Sequence, residues 1–206
     1  MEPNELRNRC VGAIAGFAIG DAMGMPAAFL GRDQIRQYYG KPLSGFIKAH
    51  PGHAGDCLPR GSYTDNTQTM LATAECLIEC RKMDPARHAD ALLSWYRNTV
   101  PHRTPAEANL KACRHLDSGR PWNKSGVFSD CCAAAMRMPP IGIFFSRYPE
   151  TLTRAALDNC IITHTEPRAR AACVAVACLT ARLLHSDGRS RPADQVLETA
   201  DRVARL

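Results

Sequence analysis

The sequence predicts an all-α protein, a compact orthogonal bundle of many helices in a single domain over residues 1–206. Three observations carry that expectation. Apolar residues recur three and four positions apart in segment after segment, and strand-like alternation stands out nowhere. Pro, Asp and Thr stand where helices would begin, with Gly or Pro where they would end. Aromatic residues make up only 6% of the chain while small residues abound, which suits closely packed helices better than a β-sandwich. No internal repeat or linker-like stretch divides the 206 residues.

The first predicted helix runs from about Glu5 to Ala22, with Gly12, Gly16, Gly20 and Gly24 recurring every four residues. That spacing stacks them on one face and opens a groove for another backbone. Each glycine costs about 0.5–1 kcal/mol against alanine, so a central, buried helix is expected. A short helix follows around Gln34–Tyr39. Residues 41–60 carry Pro42, Gly45, Pro51, Gly52, Gly55 and Pro59 and read as a long loop, with His50 and His53 as surface decoration or a metal pair.

Met70, Leu71, Ala74, Leu77 and Ile78 then mark a helix that begins at Thr64-Asp65 and runs through Cys80. Asp84-Pro85 opens the next, with Ala89, Leu92, Leu93 and Tyr96 inward. Thr104-Pro105-Ala106-Glu107 has the form of a capping box, and its helix is expected to reach about Ser118. After a loop over Pro121–Asp130, Cys131–Arg137 should make one or two buried turns closed by Pro139-Pro140. Helices near Pro149–Ile162 and Pro167–His185 flank Thr163-His164-Thr165-Glu166. A last helix, with Ala193, Val196, Leu197, Ala200 and Val203 on one face, ends at Leu206 and predicts self-association through that face.

The formal charge of +6 is spread without a dense basic block, which argues against nucleic acid and suits an anionic, phosphate-bearing substrate. Met1–Arg9 is polar and unlike a signal peptide, and no apolar stretch reaches the ~20 residues a membrane crossing needs. The ten cysteines include no C-x-x-C pair and read as mostly buried thiols in a reducing cytoplasm.

Chemistry is expected at Gly61-Ser-Tyr-Thr-Asp-Asn-Thr-Gln68, where loop becomes helix. Thr64, Asp65 and Asn66 set oxygen donors against free backbone N–H groups and the positive end of a helix dipole. Two readings stay open there: an ordinary N-cap with Gln68 reaching back, or a seat for a hard cation such as Mg²⁺. Asp21, a lone acidic residue ending an apolar helix, either caps a neighbouring loop or supports catalysis. Arg137, among apolar residues, either anchors an anion or closes an internal ion pair. His164 either orients a loop, binds a ligand or satisfies a buried carbonyl.

Four stretches together resemble the ADP-ribosylglycohydrolase family, the all-α hydrolases related to dinitrogenase reductase-activating glycohydrolase. They are Gly12-x-x-x-Gly16-Phe-Ala-Ile-Gly20-Asp-Ala-Met-Gly-Met-Pro26, the Gly61–Gln68 stretch, Ala135-Met-Arg-Met-Pro-Pro-Ile-Gly142 and Ile162-Thr-His-Thr-Glu-Pro167. Their order matches the N-terminal two-thirds of the family and covers nearly all of this chain. The resemblance implies hydrolysis of the glycosidic bond joining ADP-ribose to a protein side chain or small molecule, with two Mg²⁺ (or Mn²⁺) holding ribose hydroxyls and a water. It assigns Thr64, Asp65 and Asn66 to the metal and Asp65 to catalysis, with Asp21 supporting from behind. Arg137 and His164 become candidates for binding substrate.

The chain also departs from the family. Asn66 stands where an aspartate is usual, Ala28 where many members have a glutamate, and Cys131, Ala133 and Ala134 where glycines are frequent. The C-terminal D-x-D-[ST] segment has no counterpart before Leu206. Two divalent ions ~4 Å apart repel by about 16 kcal/mol at an effective dielectric of ~20, and one carboxylate among the matched ligands does not offset that. At most one Mg²⁺ is therefore expected in this chain alone. The function stays open between an active hydrolase and a catalytically inactive relative, whether an ADP-ribose-binding module or a truncated remnant.

Overall fold

The computed structural model describes residues 2–40, 42–98 and 103–186. Nine α-helices lie among them: α1 (Pro3–Gly24), α2 (Arg32–Tyr39), α3 (Asp65–Cys80), α4 (Pro85–Asn98), α5 (Glu107–Asp117), α6 (Trp122–Ser125), α7 (Met138–Phe144), α8 (Pro149–Ile161) and α9 (Pro167–Leu184). Two 3₁₀ turns, Met25–Ala27 and Ala133–Arg137, complete the order. No strand occurs among the described residues, only a single bridge between Val127 and His164. The expected last helix and its apolar face lie outside the described residues.

The main core is built by α3, α7, α8 and α9 around the 3₁₀ turn that ends at Arg137. Leu77, Met138, Ile141, Leu152, Cys160, Cys173 and Val174 are buried there. A second cluster joins α4 and α5, with Leu92, Trp95 and Cys113 against Ile162. Pro139 and Pro140 do not close the preceding turn as expected. They stand in the first turn of α7, where a missing N–H leaves no bond unmade.

Helix α1 overturns the expectation of a buried centre. Only Ala22 of its 22 residues is buried, and a Cβ placed on Gly12, Gly16, Gly20 or Gly24 would meet nothing within 4 Å. Among the described residues, the helix therefore has nothing packed on its glycine face. The segment Pro3–Ala27 is also long and apolar enough to cross a membrane by length and composition alone, against the expectation that none is. Asp21 lies near its C-terminal end, so a window of mostly apolar residues precedes it.

Glycines of similar appearance in the sequence thus have opposite environments. A Cβ on Gly142 would stand 2.5 Å from the Ala177 carbonyl oxygen and 2.7 Å from Thr180 Cβ, because α7 and α9 touch there. Gly142→Ala is expected to cost about 2–3 kcal/mol through overpacking. Gly16→Ala is expected to gain about 0.5–1 kcal/mol from helix propensity. Urea unfolding of both variants checks the opposite signs.

Two further local expectations change. Helix α5 starts at Glu107 with Ala106 as its N-cap and no side-chain cap, so no capping box forms at Thr104. The Arg103 carbonyl is instead spent on the Asp65 N–H at 3.0 Å, and Thr104 takes a left-handed φ of 55°. His53, expected on the surface, is buried: its Nδ1 accepts from the Gly55 N–H at 2.9 Å and its Nε2 donates to the Ala28 carbonyl at 2.9 Å. It pins the long loop to the end of α1. His50 stacks on Tyr38 with ring centroids 3.7 Å apart, while both ring nitrogens of His53 are spent on Gly55 and Ala28.

Candidate functional site

The start of α3 is fixed by α1. Both carboxylate oxygens of Asp21 are spent there: Oδ1 accepts from Thr64 Oγ1 (2.7 Å), and Oδ2 accepts from the Thr64 N–H (2.8 Å), Thr67 Oγ1 (2.7 Å) and the Thr67 N–H (3.2 Å). An aspartate from another helix thus caps the N–H groups that α3 leaves open, with the dipole favouring its charge. Asp21, a candidate catalytic residue by sequence, is a positioning residue in this geometry. Thr64 is the N-cap proper, its Oγ1 accepting from the Asn66 N–H at 3.2 Å. Gln68 does not reach back. Its Oε1 accepts from Trp95 Nε1 at 3.1 Å and ties α3 to α4.

Asp65 is buried under this cap, 1% exposed, with its Oδ2 unpartnered. Burial first, and then the Asp21 charge, push its carboxyl up to about 7. Asn109, the Ala106 backbone and Thr64 pull it back only in part. An unmatched carboxylate oxygen held out of water is expensive unless a proton or a cation meets it. That orphan atom is the feature of this structure that fits a cation.

The rest of the donor set fits only in part. Thr64 and Asn66 offer neutral oxygens, and Ala28, where a carboxylate would add charge, offers none. Among the described residues no three His, Cys, Asp or Glu side chains come together. One hard divalent ion with water completing its shell suits Thr64, Asp65 and Asn66; a second does not.

A cavity of about 450 Å³ opens beside the cap, between α1, the start of α3 and the 3₁₀ turn. Asp21, Thr64, Asn66, Thr104, Phe29 and Met136 are among its lining residues. Phe29 is 83% exposed and holds φ at 65°, and Thr104 holds 55°. Two of the three non-glycine residues with positive φ among the described residues therefore stand at this cavity. Such strain persists where surrounding structure imposes it, and it gathers at binding sites. Neither residue carries a mark in the sequence, because positive φ at Phe and Thr has no compositional signature.

Arg137 and His164 are not in the cavity. Arg137 is fully buried, donating from Nε to Asn159 Oδ1 (2.9 Å) and from Nη2 to the Asn159 carbonyl (3.1 Å) and Thr163 Oγ1 (2.8 Å). Its partners are neutral oxygens, so it closes no ion pair and reaches no ligand. The pairing is long-range in sequence: Arg137 ends the 3₁₀ turn that carries it inward against Asn159 of α8 and Thr163 beyond it. His164 is equally buried, with Nε2 3.1 Å from Cys131 Sγ and Nδ1 2.9 Å from Thr163 Oγ1. Its backbone neighbours bond Val127, so this segment holds the loop before the 3₁₀ turn. Both candidates for substrate binding are thus buried in this geometry and bonded to interior groups.

Comparison with known proteins places this geometry among relatives. The family model described as ADP-ribosylglycohydrolase matches residues 2–206. An uncharacterized protein of Archaeoglobus fulgidus is 38% identical over 164 residues, covering 80% of this chain and 52% of its own. The ADP-ribosyl-[dinitrogen reductase] glycohydrolase of Rhodospirillum rubrum is 25% identical over 195 residues, covering 91% of this chain and 62% of its own. A solved structure titled "ADP-ribosylglycohydrolase-related protein complex" superposes with a TM-score of 0.75 at 26% identity, over 96% of this chain and 62% of that one. The chain thus spans between half and two-thirds of the length of these relatives.

Proposed function

Because this chain belongs to the ADP-ribosylglycohydrolase family, we propose that its cavity receives the ADP-ribosyl group of a modified protein side chain or small molecule and that the site hydrolyses the glycosidic bond. The observation that carries the reading is the unpartnered, buried Asp65 Oδ2 at the start of α3, between Thr64 and Asn66, which line a 450 Å³ cavity that Asp65 itself does not line. Thr64, Asp65 and Asn66 would hold one divalent cation, Mg²⁺ before Mn²⁺. When bound, the ion supplies Lewis acidity and a hold on ribose hydroxyls.

The protein's own groups have separable tasks. Asp21 fixes Thr64 and Thr67, so the donors stay in register. Asp65, raised to about 7 by burial and the Asp21 charge, would give up its proton on taking the cation. Phe29 and Met136 line the cavity and exclude water from the bound group. Cleavage leaves ADP-ribose and the free acceptor side chain.

A second reading is binding without turnover. It is favoured by one observation: among the described residues no third carboxylate, His or Cys joins Asp21 and Asp65 at the site. Incubation with ADP-ribosyl-arginine, with and without excess Mg²⁺, separates the two. Metal-dependent release of ADP-ribose supports hydrolysis. Calorimetric binding of ADP-ribose with no release supports the binding module. Neither binding nor release overturns both.

A further inference from the structure

An apolar groove runs between α1, α3 and α7, and we propose that its occupant is this chain's own segment 192–206, which lies outside the described residues. The proposal is independent of the glycosidic reaction. The groove has a volume of about 500 Å³. Val11, Ile14 and Ala18 line it from α1, Leu71 and Ile78 from α3, and Phe144 from α7. No charged side chain stands among the described residues that line it. Thr67, one of its few polar members, has its hydroxyl spent on Asp21 at 2.7 Å.

Val11 is 57% exposed and Ile78 63%, and Leu71 and Phe144 are exposed as well. A single exposed apolar residue is ordinary. A contiguous set contributed by three helices marks a surface that something covers.

Position, pattern and reach name the occupant. Arg9 Nη1 donates to the carbonyl oxygen of Leu184, at 3.1 Å, and to that of Ser186. Ser186, where the described residues stop, is therefore held beside α1, next to the end of the groove lined by Cys10. Residues 187–206 of the sequence continue from that point. Ala193, Val196, Leu197, Ala200 and Val203 recur there at helical spacing, with Gln195, Glu198 and Arg202 on the other side. An uncharged groove suits only the first side.

The reach is sufficient. Residues 187–192 can extend about 20 Å, enough to turn the chain into the groove. The helix that the sequence predicts over 193–206 would be about 21 Å long, against about 17 Å from Thr67 to Ile78 along α3. One pass therefore covers the groove. A second copy of the protein would have to find this surface from solution. The tethered segment is already present at an effective concentration on the order of millimolar.

The test is disulfide trapping in the full-length chain, since Cys10 is a native, half-exposed thiol in the groove lining. Ala193→Cys and Val196→Cys put a second thiol on the apolar side, Gln195→Cys and Glu198→Cys on the other. Dilute protein is oxidised with copper–phenanthroline and the links are read by peptide mass spectrometry. All four variants share one tether, so an undocked segment would link at one rate. A disulfide needs Cα atoms within about 7 Å, which a docked helix allows from one side only. Cys10 is expected to link to position 193 or 196 about tenfold faster than to 195 or 198. Equal rates, links between two chains, or no link to Cys10 overturn the proposal. Hydrogen exchange gives a second measurement that leaves the cysteines untouched. In full-length Val196→Asp, amides of residues 10–18 should exchange about tenfold faster than in the wild type, with those of α8 unchanged. Unchanged exchange over residues 10–18 would equally overturn it.

Discussion

Asp65→Asn is expected to abolish release of ADP-ribose while raising the protein's stability. The two effects share one origin. The carboxyl is buried, faces Asp21 and leaves Oδ2 unmatched, so its ionised form is held against its environment. Its pKa moves from 3.8 to about 7, which means the folded state keeps a proton that the unfolded chain has already lost. The sign follows: between pH 4 and 7 this group lowers stability as pH rises, and above 7 the whole penalty stands. Three pKa units correspond to about 4 kcal/mol. The asparagine variant should therefore gain nothing at pH 4 and about 2–4 kcal/mol at pH 8.

Mg²⁺ should narrow that difference, because a cation bound to ionised Asp65 stabilises only the wild type. Melting curves of both proteins at pH 4 and 8, with and without Mg²⁺, read all of this. Equal melting temperatures at pH 8 would remove the case for a strained carboxyl. Undiminished turnover in the variant would remove Asp65 from the reaction.

Arg137→Met is expected to be the most destabilising single change in the protein. The guanidinium is fully buried and serves Asn159 Oδ1, the Asn159 carbonyl and Thr163 Oγ1. Removing it leaves those acceptors with no water to replace it. A broken buried polar network of this kind costs about 3–5 kcal/mol. For a chain of this length that lowers the melting temperature by roughly 10–15 °C. Arg137→Lys should recover only part, since an ammonium lacks the fork that meets Asn159 and Thr163 together. Circular dichroism melts decide it. An unchanged melting temperature in the methionine variant would show that the network offsets only the cost of burying its own charge.

Much of this architecture was legible from residue spacing. The helix from Asp65 through Cys80 and the break at 81 follow from apolar periodicity and from Thr64 as a cap. The helices around Leu92, Leu152 and Cys173 are equally plain. What spacing does not convey is which elements face one another. Four glycines in α1 promise a close neighbour, yet the described residues bring none, while unremarked Gly142 has a carbonyl against it. Arg137 and His164 looked like ligands because polar residues among apolar ones suggest function. Their partners, Asn159 and Thr163, lie far along the chain or carry no distinguishing pattern. The partnership of Asp21 with Thr64 and Thr67 was half visible, as a lone acid needing a partner. That the partner is the start of α3 is a fact of tertiary structure.

The weak covering of α1 has a dynamic consequence. A helix with four glycines and one buried side chain opens more readily than the interior helices, so its amides should exchange with solvent well ahead of those in α7 and α9. Asp21 rides on that helix. Each local melting of α1 would withdraw the carboxylate from Thr64 and Thr67 and release the first turn of α3. Whatever seals the outer side of α1 would thereby set how much of the time the first turn of α3 stays assembled.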